Sequence, residues 1–183
     1  MKRILILISL SMVCTLQSSA QVYMTKNGKI SFFSATSMEN IEAVNNQAVS
    51  ILNSGTAEIG FSVIIKGFLF KKALMQEHFN EDNMESDKYP KAMFKGVIAD
   101  IANVNFNKEG DYSVIVNGDL TLHGITRKIA VNAIIKIKEG KVFASSEFNV
   151  LRADYKISVP KVTENNVSKS IRINVACNYE PRK

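Results

Sequence analysis

Cysteine, proline and tryptophan are scarce in this 183-residue chain, which has two Cys, three Pro and no Trp. Cys14 lies in an apolar N-terminal run, so Cys177 is left alone in the rest of the sequence and cannot form an internal disulfide bond. The low proline content and a hydrophobic fraction of 46% exclude a collagen-like or proline-rich disordered chain. We therefore expect one globular domain that is held together by its hydrophobic core.

The sequence also lacks the signatures of the common enzyme classes. It contains no G-x-S-x-G, no phosphate-binding glycine loop, no H-E-x-x-H and no C-x-x-C. Its two histidines, His78 and His123, could form a metal site with Glu81, but nothing in the sequence fixes His123 near the other two residues. We expect structural hydrogen bonds for both histidines, no catalytic residues, no bound metal and no cofactor.

Residues 1–20 have the pattern of a secretory signal peptide. Two basic residues precede an apolar run over residues 4–16, and small residues follow it. This run is shorter than the roughly 20 residues that a membrane-spanning helix needs. We expect export, cleavage before Gln21 and a mature domain of residues 21–183 without a membrane span.

The charge balance gives little support for a nucleic-acid partner. Removing Lys2 and Arg3 from the 23 basic residues leaves 21, against 17 acidic residues. The basic residues are scattered along the chain, whereas a nucleic-acid-binding surface has clustered Lys and Arg with aromatic residues between them. We interpret these charges as a solvated surface and expect no nucleic-acid binding.

Period-two alternation of apolar and polar residues dominates the chain from Val22 onward, which is typical of β-strands with one buried face. The Asn27-Gly28 pair predicts a type I′ hairpin turn between short strands. Helical spacing of apolar residues predicts one helix over residues 68–79. The later strands are expected over residues 91–106, 112–123, 129–138, 141–151 and 171–179.

Seven or eight long strands that are joined mostly by hairpins, with one inserted helix, favour an all-β fold. We expect an eight-stranded antiparallel up-and-down barrel, in which closure removes the free strand edges. A two-sheet sandwich is the alternative, because it has the same periodicity. The interior of an eight-stranded barrel can be filled by side chains or can hold one apolar ligand, and the pattern alone favours a filled core.

Three segments of the chain carry a family resemblance. They contain His78-Phe79-Asn80, then Lys88-Tyr89-Pro90 followed by Phe94, then Gly118-Asp119-Leu120-Thr121 followed by His123-Gly124 and Thr126. In this order and spacing, the chain resembles the YceI-like family over about residues 61–179. It departs from the family at its start, where it has no Trp-containing strand. Gly118 and Gly124 are suited to close backbone approach or to a positive φ.

The resemblance implies a lipocalin-like barrel that is exported to the bacterial periplasm and binds a polyisoprenoid or similar long-chain amphiphilic lipid in its apolar interior. The function expected is that of a non-enzymatic carrier or sequestering protein, with an apolar long-chain lipid as its partner. If the alternating apolar faces point inward, the residues that line the ligand site are Phe61, Val63, Ile65, Phe94, Val114, Val116, Val131, Ile135, Ile173 and Val175.

Two other functions stay open at this stage. A stress-related interaction protein would have the same barrel with a filled interior and would contact its partner through an exposed surface. A metal-dependent enzyme would use His78 and His123. The sequence does not set the oligomeric state and leaves a homodimer open.

Overall fold

The computed structural model of the protein describes residues 21–182, so the expected signal peptide lies outside the described residues. The described residues form nine β-strands and one short α-helix. The strands are β1 (Val22–Ala35), β2 (Asn40–Asn53), β3 (Glu58–Ile64), β4 (Leu69–Phe70), β5 (Lys91–Ile98), β6 (Gly110–Leu122), β7 (Ile125–Lys138), β8 (Lys141–Leu151) and β9 (Ser170–Pro181), and the helix is α1 (Ala73–His78).

Eight of these strands form a closed antiparallel barrel. The strands follow the order β1-β9-β8-β7-β6-β5-β3-β2 around the ring. The ring closes because β1 also pairs with β2, from Val22 opposite Asn53 to Ala35 opposite Asn40. The two-residue strand β4 adds to β2. The closed ring confirms the predicted fold class and excludes the two-sheet sandwich.

The hairpin predicted at Asn27-Gly28 is wrong, because β1 runs straight through it. The pairing of β1 with β2 shifts register on either side of Gly28, which indicates a β-bulge. Neither Asn27 nor Gly28 has the positive φ of a type I′ turn. A methyl group on Gly28 would come within 2.9 Å of Cys177 Sγ and 3.0 Å of the Ala48 carbonyl oxygen. Glycine therefore permits a close approach here rather than a turn.

The helix is shorter and begins later than predicted over residues 68–79. The helix α1 has six residues and continues into a wider turn over Phe79–Asn83. The chain before it is extended because β4 pairs with β2. This extended chain places the rings of Phe68 and Phe70 against Phe32, at centroid distances of 5.4 and 5.7 Å.

One end of the barrel, which we call the base, is filled with side chains. The strand predicted over residues 91–106 ends at Ile98, because Asp100 takes a left-handed φ of 54° and the chain turns. Phe106 then stacks on Tyr23 with a centroid distance of 5.5 Å. The base also holds a buried pair of hydroxyl groups from Ser50 and Tyr179, 2.6 Å apart. The polar groups of these two residues are therefore satisfied within the packed end.

The opposite end, which we call the mouth, is formed by the longest connections. Residues 65–90 join β3 to β5 and carry α1, and residues 152–169 join β8 to β9. The turn between β6 and β7 also lies at the mouth, where His123 and Gly124 have φ values of 51° and 72°. Both values suit a two-residue type I′ hairpin. The mouth is therefore bordered by irregular chain, whereas the base is closed by packing.

Candidate functional site

A cavity of about 450 Å³ occupies the mouth half of the barrel. All eight strands of the ring contribute inward-facing residues to its walls, and most of these residues are aliphatic or aromatic. The charged residues among those that line the cavity, such as Glu39 and Asp82, belong to the connections that border the mouth. Small-molecule sites have volumes of about 300–1,000 Å³ and mostly apolar walls. The cavity has the size and the chemistry to hold an apolar chain.

The structure brings most of the sequence-predicted site residues together around this cavity. Eight of the ten residues line it: Phe61, Val63, Ile65, Phe94, Val116, Val131, Ile173 and Val175. The other two, Val114 and Ile135, face the same interior but lie in the packed cluster of the base, where they are 8% and 1% exposed. Their position differs from the expected one because alternation determines on which face of a strand a side chain lies, but not how deep in the barrel it lies.

A pair of glycines makes room for the ring of Phe94 on the inner wall. Gly96 on β5 and Gly118 on β6 are directly opposite each other. A methyl group on Gly96 would lie 2.7 Å from the Phe94 ring, and one on Gly118 would lie 2.5 Å from this ring and from the carbonyl oxygen of Lys95. The close approach predicted for Gly118 is confirmed, and Phe94 occupies the space that the missing side chains leave.

Four phenylalanines form an aromatic cluster on one side of the cavity, and the alternation pattern of the sequence does not predict it. Phe79, which follows α1, stacks on Phe32 of β1 with a centroid distance of 5.3 Å, and it also packs against Phe68 and Phe70 at 5.8 and 5.0 Å. All four rings line the cavity. They attach the helical segment to the barrel wall, so this segment forms part of the site. The Phe-rich composition of residues 68–79 was the available signal.

One ion pair and one hydrogen-bonded His–Asp pair lie at the border of the mouth. Lys72 Nζ lies 2.9 Å from Glu39 Oε1, and His78 Nδ1 lies 2.8 Å from Asp82 Oδ2. Glu39, His78 and Asp82 line the cavity. The two carboxylates that line the cavity, those of Glu39 and Asp82, thus each have a partner in the same border.

Arg152 is the third charged feature of the mouth, and it is only 9% exposed. Its Nε donates to the carbonyl oxygen of Ser168 at 2.8 Å, and its Nη2 donates to that of Val167 at 3.3 Å. The Arg152 side chain also lines the cavity. Arg152 was not among the predicted site residues, because it begins a polar segment without strand periodicity.

The two histidines do not come together. His123 Nε2 lies 2.9 Å from Glu85 Oε2, and its Nδ1 lies 3.0 Å from the carbonyl oxygen of Tyr155. His78 instead pairs with Asp82. Within residues 21–182, no three His, Cys, Asp or Glu side chains are grouped as a metal site requires. The arrangement of His78, Glu81 and His123 that the enzyme alternative needs is therefore not formed.

Cys177 is buried in the base, where it is 2% exposed and belongs to the same packed cluster as Tyr179. Burial raises the pKa of its thiol from 9.0 to about 11. A thiol in this setting stays protonated at neutral pH and behaves as a small apolar side chain. Cys177 is therefore part of the packed end and not of the cavity.

No helix among the described residues combines the length and the apolar character that crossing a membrane would require.

Comparison with known proteins identifies the family. The YceI-like domain matches residues 14–179, which is most of the chain. No curated protein matches the sequence at a significant level. Among solved structures, a polyisoprenoid binding domain from Saccharophagus degradans, implicated in plant cell wall breakdown, is similar with a TM-score of 0.77 and 13% identity, over 89% of this chain and 99% of that one.

Two further structures have the same fold. BcnA from Burkholderia cenocepacia has a TM-score of 0.70 and 15% identity, over 84% of this chain and 96% of its own. A YCEI protein from Campylobacter jejuni has a TM-score of 0.55 and 21% identity, over 75% and 81% of the two chains. These identities support a common fold, whereas the domain match establishes membership. The resemblance inferred from the three motifs is thus confirmed, and the chain belongs to the YceI-like family.

Proposed function

We propose that this protein is an exported carrier or sequestering protein that holds a polyisoprenoid-like or other long-chain amphiphilic lipid inside its barrel. The observation that carries this proposal is the apolar cavity of about 450 Å³, which lies inside the barrel and is bordered by the connections of the mouth. The similarity of the fold to a polyisoprenoid binding domain supports a lipid of this kind. The interaction-protein alternative requires a barrel that is filled with side chains. The base of the barrel is filled in this way, whereas the mouth half contains the cavity.

Burial of the lipid chain would supply the affinity. Each methylene group that moves from water into an apolar site contributes about 0.8 kcal/mol, so about ten such groups contribute about 8 kcal/mol before the cost of association. A dry cavity with walls of Phe, Ile and Val needs few polar contacts to retain a ligand of this type. The protein works by removing the lipid from water, without a catalytic residue or a resident cofactor.

We expect the protein to carry its lipid in the periplasm. The basic and apolar pattern of residues 1–20 supports export, and a soluble lipid carrier suits a compartment that lies between two membranes. Intact-mass analysis of protein from the native compartment should give a chain that begins at Gln21. A mass that includes residues 1–20 in exported material would contradict cleavage at this site.

Native mass spectrometry followed by organic extraction tests the binding function. Protein purified from its own compartment should carry about one lipid molecule per chain, and extraction should release a long apolar chain. The lipid-free protein should then take up a prenol of about 20 carbons, because its cavity matches the size of small-molecule sites. Failure both to recover a lipid and to take up the prenol would reject the carrier function.

A further inference from the structure

Arg152 continues the inward-facing row of β8 into the mouth. Ala144, Ser146, Phe148 and Val150 alternate along this strand and line the cavity, and Arg152 follows at the same spacing. Leu151 has the extended φ and ψ of −84° and 125°, so the alternation extends as far as Arg152. The guanidinium group therefore belongs to the inner wall, next to the opening.

The charge of Arg152 has no acidic partner within the described residues. The two carboxylates that line the cavity are already paired, Glu39 with Lys72 and Asp82 with His78. Neither pair includes Arg152, and within residues 21–182 its guanidinium hydrogen-bonds only to two main-chain carbonyl oxygens. A charge that is buried without a counter-ion is costly, and such groups are usually paired. Among the described residues that line the cavity, Arg152 is thus the one Lys or Arg side chain whose charge a ligand could neutralise.

The two hydrogen bonds also fix the guanidinium in place. They hold Nε and Nη2 against the carbonyl oxygens of Ser168 and Val167, and they leave Nη1 without a partner among residues 21–182. Arginine presents its donors in a planar array that suits carboxylates and phosphates. A donor that is positioned before binding loses less conformational entropy when the ligand arrives.

We propose that Arg152 binds the headgroup of an anionic amphiphile whose apolar tail occupies the cavity, and that this headgroup carries a single negative charge, as a carboxylate does. The inference rests on the proposed function, since it assigns the polar end of the same site. A single cation balances a single negative charge, whereas a phosphate monoester carries nearly two charges at neutral pH and would keep an excess charge without a counter-ion in the mouth. The ligand class is therefore a long-chain fatty or isoprenoid acid.

Competition between ligands of equal chain length tests this assignment. Hexadecanoic acid, hexadecanol and hexadecylamine displace a neutral apolar fluorophore, N-phenylnaphthylamine, from the lipid-free protein. The unmutated protein should bind the acid at least about tenfold more tightly than the alcohol, because one charge-assisted hydrogen bond supplies a factor of this size. It should bind the amine most weakly. Arg152→Gln should reduce the preference for the acid to about threefold or less, with the affinity for the alcohol retained.

Arg172→Gln is the matched control. Arg172 lies on β9 in the same half of the barrel, but it is exposed and its guanidinium stacks on Phe33, 5.0 Å from the ring centroid. This variant removes the same charge from outside the cavity and should keep the preference for the acid. If Arg152 served only to hold residues 167–168 in place, Arg152→Gln would lower the stability of the protein and would weaken the binding of all three ligands equally.

The outcomes separate this inference from the proposed function. Equal affinity of the unmutated protein for acid and alcohol, or an unchanged preference in Arg152→Gln, would overturn the headgroup site while leaving the lipid cavity intact. Failure of all three amphiphiles and of the prenol to bind would overturn both. If Arg152→Gln does not fold, the affinities of the unmutated protein test the headgroup site. A cationic site must bind the acid most tightly, the alcohol less tightly and the amine most weakly, and any other order would overturn the inference.

Discussion

Replacing Val131 with Trp should block the cavity without disturbing the packed base. Val131 on β7 lies directly opposite Val116 on β6, and both side chains line the cavity. An indole ring at either position would project into space that the protein leaves open. Val114 provides a matched control, because it lies two residues from Val116 on the same inner face and in the same packed cluster but, unlike Val116, does not line the cavity.

The expected stability changes follow from this difference in depth. Overpacking of a filled core costs about 1–3 kcal/mol, so Val114→Trp should lose at least this amount. Val131→Trp and Val116→Trp should lose less than about 1 kcal/mol, because the ring fills a void and buries its own apolar surface. With a slope of about 2 kcal/mol per M in urea, the unfolding midpoint should fall by about 0.5–1.5 M for Val114→Trp and by less than about 0.5 M for the other two.

Urea unfolding and prenol retention, measured on the same three variants, test the reasoning. The two cavity variants should retain little prenol, since the ring competes for the space of the lipid chain, while folded Val114→Trp should still bind it. Loss of stability in Val131→Trp equal to that in Val114→Trp would mean that the mouth half is filled. Full retention of the prenol in both cavity variants would mean that the lipid binds elsewhere.

Three further predictions concern the glycine pair, the histidines and the buried thiol. Gly118→Ala should lower the free energy of unfolding by about 1–3 kcal/mol in urea, because its methyl group would meet a backbone oxygen at 2.5 Å. Gly60→Ala is the control and should leave stability unchanged, because its nearest atom lies at 3.7 Å. Equal effects of the two substitutions would contradict this account. Replacing both His78 and His123 with Gln should leave prenol uptake largely unchanged and cost about 1 kcal/mol per lost hydrogen bond, while abolished uptake in a folded double variant would reject their structural role. Cys177 should react with a thiol reagent only after unfolding, and rapid labelling of the native protein would contradict its burial. Because folding raises the pKa of this thiol from 9.0 to about 11, the free energy of unfolding should fall as the pH rises between these values. In this pH range the unfolded thiol has lost its proton, whereas the folded thiol has kept it.

The inner faces of the barrel strands could be predicted from alternation alone. Phe61, Val63 and Ile65 follow one another at spacing two, and all three line the cavity. Ile173 and Val175 do the same on the last strand. The prediction succeeds because side chains of a strand alternate between the two faces, so one buried residue fixes the orientation of its neighbours.

The depth of each residue within the barrel could not be predicted in this way. Val114 and Val116 differ by one step of alternation and both belong to the packed cluster of the base, yet only Val116 also lines the cavity. This distinction depends on residues 99–109, which turn at the end of β5 and place Phe106 against Tyr23. Local periodicity carries no information about which distant segment fills which end.

The Asn27-Gly28 pair illustrates a local signal that tertiary contacts override. The dipeptide favours a tight turn when only neighbouring residues are considered. Gly28 is required instead because Ala48 and Cys177, which are distant in the sequence, approach its backbone. Arg152 illustrates the opposite case, in which a local pattern holds but is easily overlooked. The alternation of β8 extends as far as Arg152, although the segment that follows this residue has no strand pattern.

The hollow half of the barrel arises where the inner wall carries small side chains. On β7 and β8 these are Ala133, Ala144 and Ser146. Towards the base, the same interior receives the large rings of Tyr23 and Tyr179, which close the space between the strands. Towards the mouth, the connections border the opening instead of filling it. An eight-stranded barrel is just wide enough for either outcome, so the sizes of a few inward residues decide whether its interior becomes a core or a binding site.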